Sequence, residues 1–329
     1  MYHGESGLHK VLLTGFSGFI GSSLLERLKA NYTVCLLGRN PPKNSNYEFH
    51  EYDLGSPSDL ELTEVKTVIH CAARAHVMKE CVLDPLSEYR LINTLGTIAL
   101  AKQAAACGVK RFIFISSIKV NGDFTLPGKP FKPTDKHQPN DFYSQSKSEA
   151  EEGLLQISEE TDLEVVIIRP TLVYGPRVKA NFESLIRLVS KGLPLPFASI
   201  TNNKRSLVSI ANLVDLIVTC IEHPRAANEV FLVSDDHDKS TSELVRQLAK
   251  SLGTAKWQLP VPRACYDLVG NLMGKERVVE RLLGSLQVDI THTKETLAWA
   301  PPQTVEEGFE QTAIAFLQSK NSSKNDSYN

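Results

Sequence analysis

Short apolar runs alternate along the chain with longer segments whose apolar positions recur every three to four residues, the spacing of a helix that buries one face. The apolar runs predict strands at about 10–14, 32–37, 67–71, 111–116, 164–169 and 229–234, and the helical patterns include 22–29, 86–107, 143–158 and 212–219. Strands that alternate with helices are typical of a parallel sheet covered by helices on both faces. The sequence therefore predicts an α/β fold with a doubly wound parallel sheet.

Proline, glycine and basic residues are frequent in the later segments, where this alternation fails. We expect those segments to build a smaller C-terminal substrate-binding cap. Ligands of open parallel sheets bind beyond the carboxyl ends of the strands, where such a cap would close over them. The predicted division is a sheet domain of residues 8–175 and 204–234, a cap of residues 176–203 and 235–318, and a disordered polar tail of residues 319–329.

The composition is that of an ordinary soluble protein, since 329 residues with 42% hydrophobic side chains can bury a large core. The 36 basic residues are balanced by 38 acidic ones, which gives no electrostatic case for binding nucleic acid. Six cysteines are scattered without metal-site spacing, so we expect reduced thiols and no metal. No apolar run approaches the roughly 20 residues that span a bilayer, and no signal-peptide pattern is seen, so a cytoplasmic location is expected.

The first predicted strand leads into a turn with Gly15, Gly18 and Gly21, and a helical pattern follows at once. Such a turn directs the unpaired N–H groups and the positive end of the helix at a phosphate, and side chains at the glycines would block its approach. Tight turns also use glycine for conformational reasons alone. The strand, turn and helix context favours the binding of a dinucleotide, and the intervening candidates are Ser17, Phe19 and Ile20.

Tyr143 and Lys147 open another helical pattern and, four residues apart, would project from one helix face. Ser117 follows a predicted strand 26 residues before Tyr143. A free phenol titrates near pH 10, so a neighbouring cation is needed before it can act as a base at neutral pH. Each residue could by itself be an ordinary exposed side chain, and Ser116 could replace Ser117. Together with the glycine turn, the three residues predict proton transfer beside a bound dinucleotide.

These motifs together resemble the extended short-chain dehydrogenase/reductase family over about residues 10–310. Members of that family act mainly as nucleotide-sugar epimerases, dehydratases and ketoreductases. The resemblance implies a Rossmann fold for the sheet domain. It also implies that Tyr143 passes the proton as hydride moves, that the Ser117 hydroxyl binds the reacting oxygen, and that Lys147 lowers the pKa of Tyr143 and holds the nicotinamide ribose.

The same resemblance implies further cofactor contacts. Asp53 and Leu54 resemble the adenine-binding pair of the family, with a solvated turn residue as the alternative for Asp53. A stretch of small residues resembles the segment beside the cofactor ribose, and the residues from 169 to 176 resemble the segment that contacts the nicotinamide. The candidates from these two segments are Cys71, Ala72, Ala73 and Pro170. His70 is more typical of a packed or turn residue than of a catalyst.

The end of the second predicted strand bears on the choice of cofactor. An acidic side chain there would bind the ribose hydroxyls of NAD and repel the 2′-phosphate of NADP, whereas an arginine can pair with that phosphate. Arg39 stands at this position and no acidic residue does. We therefore expect NADP(H), with NAD as the alternative if Arg39 is only an exposed loop residue.

The resemblance also implies a nucleotide-sugar substrate, and we expect a UDP-sugar. Arg205 matches the arginine that grips the substrate diphosphate, with a surface salt bridge as the alternative, and Arg281 is a weaker second candidate. Asn181 and Phe182 match the position that meets the nucleobase. Helix 86–107 resembles the helix that pairs subunits in family dimers, so a homodimer is expected, although its apolar face could equally pack within one subunit.

Dehydration is disfavoured, because the family's dehydratases carry an Asp-Glu acid/base pair where this chain has Ile118 and Lys119. Arg39 favours a reductase that draws on NADPH, and segments 205–208 and 284–289 resemble bacterial UDP-N-acetylquinovosamine dehydrogenases. The expected function is a 4-ketoreductase of a UDP-linked 6-deoxy-N-acetylhexosamine in surface polysaccharide biosynthesis. The alternatives are a UDP-glucose or UDP-GlcNAc type 4-epimerase with tightly bound NAD, and a non-catalytic NADP sensor, a class that generally loses the Tyr/Lys pair.

Overall fold

The structure is a computed structural model that describes residues 8–43, 46–75 and 84–325. Six of its strands coincide with the predicted apolar runs, because both faces of a strand within a parallel sheet are covered. The short strands at 48–51, 172–174 and 207–209 are not among the predicted runs. In chain order the strands are β1 (Lys10–Thr14), β2 (Thr33–Gly38), β3 (Glu48–Glu51), β4 (Val65–His70), β5 (Arg111–Ile115), β6 (Glu164–Pro170), β7 (Leu172–Tyr174), β8 (Leu207–Ser209) and β9 (Glu229–Val233).

The helices follow the segments with helical spacing, and several occur in the late part of the chain. They are α1 (Phe19–Leu28), α2 (Pro85–Tyr89), α3 (Gly96–Ala106), α4 (Phe142–Glu160), α5 (Ala180–Val189), α6 (Ile210–Glu222), α7 (Thr241–Ser251), α8 (Arg263–Met273), α9 (Glu276–Leu283), α10 (Thr291–Leu297) and α11 (Val305–Asn325). Short 3₁₀ turns occupy Ile118–Val120 and Pro224–Ala226.

The helix predicted over 86–107 is interrupted by a π-helical turn at Arg90–Leu95, between α2 and α3. Such turns are rare and usually mark a local constraint. Here the constraint is a contact with α4, because Asn93 Nδ2 donates to Ser146 Oγ at 3.0 Å and Thr94 Oγ1 donates to the Ser146 carbonyl oxygen at 2.8 Å. Periodicity within one helix does not reveal this, since the partner lies on another helix.

Seven strands form one parallel sheet in the order β3-β2-β1-β4-β5-β6-β9, and β7 pairs with β8 in a separate parallel pair. The direction in which successive strands are added reverses between β1 and β4. Ligands of such sheets bind in the crevice that this reversal opens at the carboxyl ends of the strands. The doubly wound Rossmann fold is thus confirmed, and the position of its ligand crevice is defined.

Helices cover both faces of the sheet, because successive side chains of a strand point to opposite sides. Leu13 of β1 packs in one hydrophobic cluster with Leu24 of α1 and Leu213 of α6. The neighbouring Leu12 packs in a second cluster, with Leu100 of α3 and Leu154 of α4. α1 and α4 are thereby fixed on opposite faces of the sheet, and both begin at its carboxyl edge.

A third hydrophobic cluster gathers residues from the segments in which the alternation of strand and helix fails. It includes Ile186 of α5, Leu244 of α7 and Phe309 of α11, which pack with Tyr174 at the end of β7. The late segments therefore have a core of their own. The boundaries of sheet domain and cap stay a prediction.

The end of the chain differs from the sequence-based expectation. α11 continues to Asn325, although the tail predicted to be disordered begins at residue 319. Polar residues such as Gln318 and Lys320 are good helix formers, so a helix anchored by Phe309 can continue into solvent. Residues 326–329 lie outside the described residues. Among the described residues, we find no helix with the length and apolar character needed to cross a membrane.

Candidate active site

The glycine turn after β1 is built so closely that two of its glycines have no room for a side chain. Gly15 has a φ of +67°, and a Cβ atom on it would lie 2.6 Å from the Ala72 nitrogen. A Cβ atom on Gly21 would lie 2.1 Å from the Gly15 carbonyl oxygen. A Cβ atom on Gly18 would meet only that oxygen, at 3.2 Å, and otherwise open space. Close packing thus explains the glycines at positions 15 and 21, whereas the space beside Gly18 is open to a ligand.

The open space beside Gly18 lies at the N-terminus of α1. Gly18 is the N-cap residue of this helix, no side chain caps its first N–H groups, and no acidic residue lies in its first turn. Ser17 is exposed there, and Phe19 and Ile20 are half-buried. An anion, such as the pyrophosphate of a dinucleotide, can accept these N–H groups. The residues present therefore fit the cofactor that the glycine pattern predicts.

The segment after β4 lies against the glycine turn, since Ala72 N donates to Thr14 Oγ1 at 3.1 Å. Cys71, Ala72 and Ala73 are half-buried at this edge. His70 before them is fully buried, with its ring nitrogens 2.8 Å from Thr14 Oγ1 and 3.0 Å from Thr97 Oγ1. Burial lowers the pKa of His70 to about 3 and raises that of the Cys71 thiol to about 12. Both side chains are uncharged packing elements at neutral pH.

The two candidates for the adenosine end lie at the ends of β2 and β3. Arg39 is exposed directly after β2. The Asp53 carboxylate accepts a hydrogen bond from Gly55 N at 2.9 Å, which stabilises a turn, and its contact with adenine stays a prediction. Leu54 is half-buried beside the start of α3, where a Cβ atom on Gly96 would lie 2.4 Å from the Leu54 carbonyl oxygen.

The two serines after β5 have different environments. Ser116 is buried, and its hydroxyl donates to the Glu151 carboxylate. Ser117 is half-buried at the carboxyl edge, and its hydroxyl accepts a hydrogen bond from Lys119 N at 3.3 Å. Because Ser116 is held by a buried carboxylate, this geometry favours Ser117 as the residue that meets a substrate.

Lys147 lies one helical turn after Tyr143 on α4 and is 1% exposed. Its ammonium donates to the Ile115 carbonyl oxygen at 2.8 Å and lies 4.2 Å from the centre of the Phe114 ring. Burial lowers the pKa of Lys147 to about 8. The lysine is therefore anchored on the last residue of β5, two residues before Ser117.

The pKa of Tyr143 departs from the sequence-based expectation in its direction. Burial raises this pKa above its ordinary value, and the Asp141 carboxylate and Tyr89 raise it further. The lowering of this pKa by Lys147 stays a prediction, and burial outweighs any such effect in this structure. The physical reason is that desolvation penalises both charged forms, the phenolate of Tyr143 and the ammonium of Lys147.

A buried polar network lies beneath these residues and was missed by sequence reasoning. The Arg169 guanidinium donates to both carboxylate oxygens of Glu151 and, at 3.0 Å, to Asn121 Oδ1. Arg169 also lies 2.6 Å from His137 Nε2. The network joins β6, α4 and the loop after β5, and Pro170 is the buried residue that follows Arg169. Only the position of Glu151, one helical turn after Lys147, could have indicated its role.

Asn93 connects two segments of the site by direct hydrogen bonds. Its Oδ1 accepts from Arg74 N at 2.8 Å, while its Nδ2 donates to Ser146 Oγ at 3.0 Å. Asn93 therefore ties the segment after β4 to α4, one residue before Lys147.

The proposed substrate residues have mixed outcomes. Arg205 Nη1 donates to the Arg281 carbonyl oxygen at 2.8 Å, and burial together with the Arg281 charge lowers the pKa of Arg205. The two arginines therefore lie close together, as an anion site requires. Phe182, in contrast, is 2% exposed and packs against both Tyr174 and Phe309, so the expectation that it meets a nucleobase is corrected. The side chain of Asn181 lies outside the described residues.

One group of metal-ligating residue types lies at the opposite side of the sheet domain. Donor atoms of Cys35, Glu48 and His50 lie within 4.8 Å of one another. Burial raises the pKa of the Cys35 thiol to about 12, and Lys10 pairs with the Glu48 carboxylate at 2.9 Å. A protonated thiol and a carboxylate paired with an ammonium are poor ligands, so this group does not favour a metal ion.

Known proteins that are similar to this chain include several epimerases. Residues 11–234 match the NAD dependent epimerase/dehydratase family. A UDP-glucose 4-epimerase of Vibrio cholerae is 60% identical over 316 residues, which cover 94% of this chain and 96% of that protein. An N-acetyl-alpha-D-glucosaminyl-diphospho-ditrans,octacis-undecaprenol 4-epimerase of Escherichia coli O157:H7 is 28% identical, covering 92% and 93%. A UDP-glucose 4-epimerase structure from Thermotoga maritima with UDP-glucose superposes with a TM-score of 0.74 at 22% identity, covering 94% and 99%.

Proposed function

This chain belongs to the NAD dependent epimerase/dehydratase family, and we propose that within it the protein acts as a UDP-glucose 4-epimerase. The proposal is supported by the name of the Vibrio cholerae relative, with which the chain shares 60% identity over nearly its whole length. The observation on which it depends is the hydrogen bond from Lys147 to the Ile115 carbonyl oxygen of β5, two residues before Ser117, with Tyr143 one helical turn before Lys147 on α4.

The 4-ketoreductase function predicted from the sequence is wrong, and the similarity to UDP-N-acetylquinovosamine dehydrogenases is not supported. The finding that overturns both is the 60% identity to a UDP-glucose 4-epimerase. The serine, tyrosine and lysine residues could not separate the two reactions, because each needs one hydride and one proton at the same sugar carbon. The preference for a reductase rested in part on Arg39, but this residue bears on which cofactor binds and not on which reaction is catalysed.

The chain's own residues account for the proton in this proposal. Ser117 would hydrogen-bond the oxygen at C4 of the hexose, and Tyr143 would accept its proton and later return it. Hydride exchange at C4 is the chemistry that a bound nicotinamide supplies. Because a hydride removed from C4 would be given back to the same carbon, the overall reaction would be redox-neutral. Ile118 and Lys119, in the places of a dehydratase acid/base pair, agree with a reaction that eliminates no water.

Binding of the substrate is proposed to depend on the two neighbouring arginines. Arg205 and Arg281 together would offer forked donors to a diphosphate, a geometry that suits this group better than a single lysine does. We retain the homodimer as a proposal, in which the helices of 86–107 pair the subunits. Leu91 and Leu95 in this segment are exposed apolar side chains of the kind that such an interface would cover.

The test is interconversion of UDP-glucose and UDP-galactose by the purified protein with its bound dinucleotide, in either direction and without added NADPH. Tyr143→Phe should lower kcat by about 10² to 10⁴-fold. Tyr32→Phe is the matched control, because its hydroxyl lies 3.3 Å from Glu222 on the protein surface and should not affect turnover. A folded protein that contains dinucleotide and interconverts neither sugar, or a fully active Tyr143→Phe variant, would contradict the proposal.

A further inference from the structure

An ion pair joins the two segments that carry the proposed catalytic residues. The ammonium of Lys119, two residues after Ser117, pairs with the carboxylate of Asp141, two residues before Tyr143. Asp123 is a second carboxylate near this ammonium, at 4.0 Å. Lys119 N also donates to Ser117 Oγ at 3.3 Å. A single residue therefore contacts Ser117 through its backbone and the start of α4 through its side chain.

Asp141 is held in its charged form at the start of α4. It is the N-cap residue, and its Oδ1 accepts from Ser144 N at 2.7 Å within a capping box. Burial acts to raise the pKa of the Asp141 carboxyl, but hydrogen bonds from Lys119 and Ser144 outweigh it, so this pKa lies below its ordinary value. An ionised carboxylate thus stands beside the helix turn that presents Tyr143.

The Asp141 charge opposes the proposed chemistry of Tyr143. A nearby anion disfavours a phenolate, and Asp141 is indeed among the groups that raise the pKa of Tyr143, after burial and before Tyr89. Two cations of the described residues are anchored in the segments around Ser117 and Tyr143: Lys147, which donates to Ile115, and Lys119, which contacts Asp141 directly. Lys119 is therefore placed to weaken the Asp141 field where it originates.

We propose that Lys119 is a positioning residue that offsets part of the Asp141 charge and holds Ser117 and Tyr143 in register, so that the N-cap charge of α4 opposes ionisation of the phenol less strongly. This inference rests on the proposed function for its meaning in catalysis. It gives a role to a cation that stands where dehydratases carry part of their acid/base pair. It also explains why a chain that needs a strong N-cap can tolerate a carboxylate so close to its catalytic tyrosine.

The decisive measurement is titration of the phenol itself, in the protein with its bound dinucleotide. Tyr143 is replaced by 3,5-difluorotyrosine, whose fluorine atoms bring ionisation into an accessible pH range, and its ¹⁹F resonance is followed against pH. The backgrounds are the parent chain, Lys119→Met, Asp141→Asn, the double variant and Lys119→Arg. Lys110→Met is the control, since it removes the same type of charge near Glu164, at 4.0 Å, from a side chain that is more exposed than that of Lys119 (73% against 30%).

Lys119→Met should raise the phenol titration by roughly 0.5 pH unit or more, because the Asp141 charge is left without its partner. Asp141→Asn should lower it by a similar amount, while the amide still caps α4. The double variant should return to within about 0.2 unit of the parent, because both charges are gone. Lys119→Arg and Lys110→Met should titrate like the parent. In the enzyme without fluorotyrosine, kcat should rise with pH as Tyr143 ionises, and the pH at which it rises should shift in the same directions.

An unchanged titration in Lys119→Met would overturn the proposal, and so would a double variant displaced as far as Lys119→Met. Should Lys119→Met fail to fold, Lys119→Gln and Asp141→Asn carry the same test with smaller changes of shape. The titration requires no substrate. Expected phenol shifts in an enzyme without 4-epimerase activity would therefore contradict the proposed function alone, whereas epimerase activity without these shifts would contradict the role of Lys119 alone.

Discussion

The Lys147 ammonium donates a hydrogen bond to the Ile115 carbonyl oxygen at 2.8 Å. This contact attaches α4 to the carboxyl end of β5, two residues before Ser117. The cation is also taken out of water, and burial lowers its pKa from 10.5 to about 8. A residue that the proposed mechanism requires is therefore a burden on the stability of the protein without its ligands.

Lys147→Met should stabilise the cofactor-free protein at pH 7 by about 1 to 2 kcal/mol and reduce turnover by at least about 10²-fold. The folded pKa lies below the unfolded one, so the penalty is complete below pH 8 and disappears as the pH rises toward 10.5. The lost hydrogen bond offsets about 1 kcal/mol of the gain. Urea unfolding of both proteins at pH 7, 9 and 10.5 measures the difference, which should shrink with rising pH.

Lys110→Met is the control for that series, because the Lys110 side chain is exposed and should contribute no comparable pH dependence. A Lys147→Met variant that is less stable than the parent at pH 7 would mean that contacts of the ammonium outweigh its desolvation.

The glycines of the turn after β1 should separate folding from cofactor binding. Gly21→Ala places a Cβ atom 2.1 Å from a backbone oxygen and should cost about 1 to 3 kcal/mol in stability. Gly18→Ala meets the same oxygen at 3.2 Å and should change stability by less than about 1 kcal/mol, but its methyl group narrows the approach to α1. Thermal unfolding and dinucleotide titration by calorimetry measure the two effects. Equal cofactor affinity in Gly18→Ala and the parent would contradict the prediction that the cofactor reaches the N-terminus of α1 past Gly18.

Arg39 should determine how the protein treats the 2′-phosphate of NADP(H). We expect Arg39→Ala to weaken NADP(H) about 10 to 100-fold, the value of a charge-assisted hydrogen bond, and to leave NAD affinity unchanged. Fluorescence titration with the reduced cofactors measures both constants, with Arg27→Ala as a control for loss of an exposed arginine. A parallel loss of both affinities, or of neither, would show that Arg39 does not contact the phosphate and would remove the basis for the predicted NADP(H) preference.

Local patterns were sufficient for several elements of the site. The apolar run of β1, the positive φ at Gly15 and the periodicity of α1 are properties of neighbouring residues, so strand, turn and helix followed from the sequence. The common face of Tyr143 and Lys147 followed likewise from helix geometry. The reaction did not follow, because the same residues serve an epimerase and a reductase.

The sequence by itself determined the alternating sheet, the glycine turn and the identity of the polar residues at the strand ends, since these depend on spacing along the chain. Only the tertiary structure revealed the hydrogen bond from Ser116 to Glu151, the burial of Phe182 in a hydrophobic core and the ion pair of Lys119 with Asp141. Those contacts join residues far apart in the chain, and the stability of each buried charge depends on how completely packing excludes water from it. Hydrophobic periodicity describes one element at a time, so it predicts neither the contacts between elements nor the desolvation of a charged side chain.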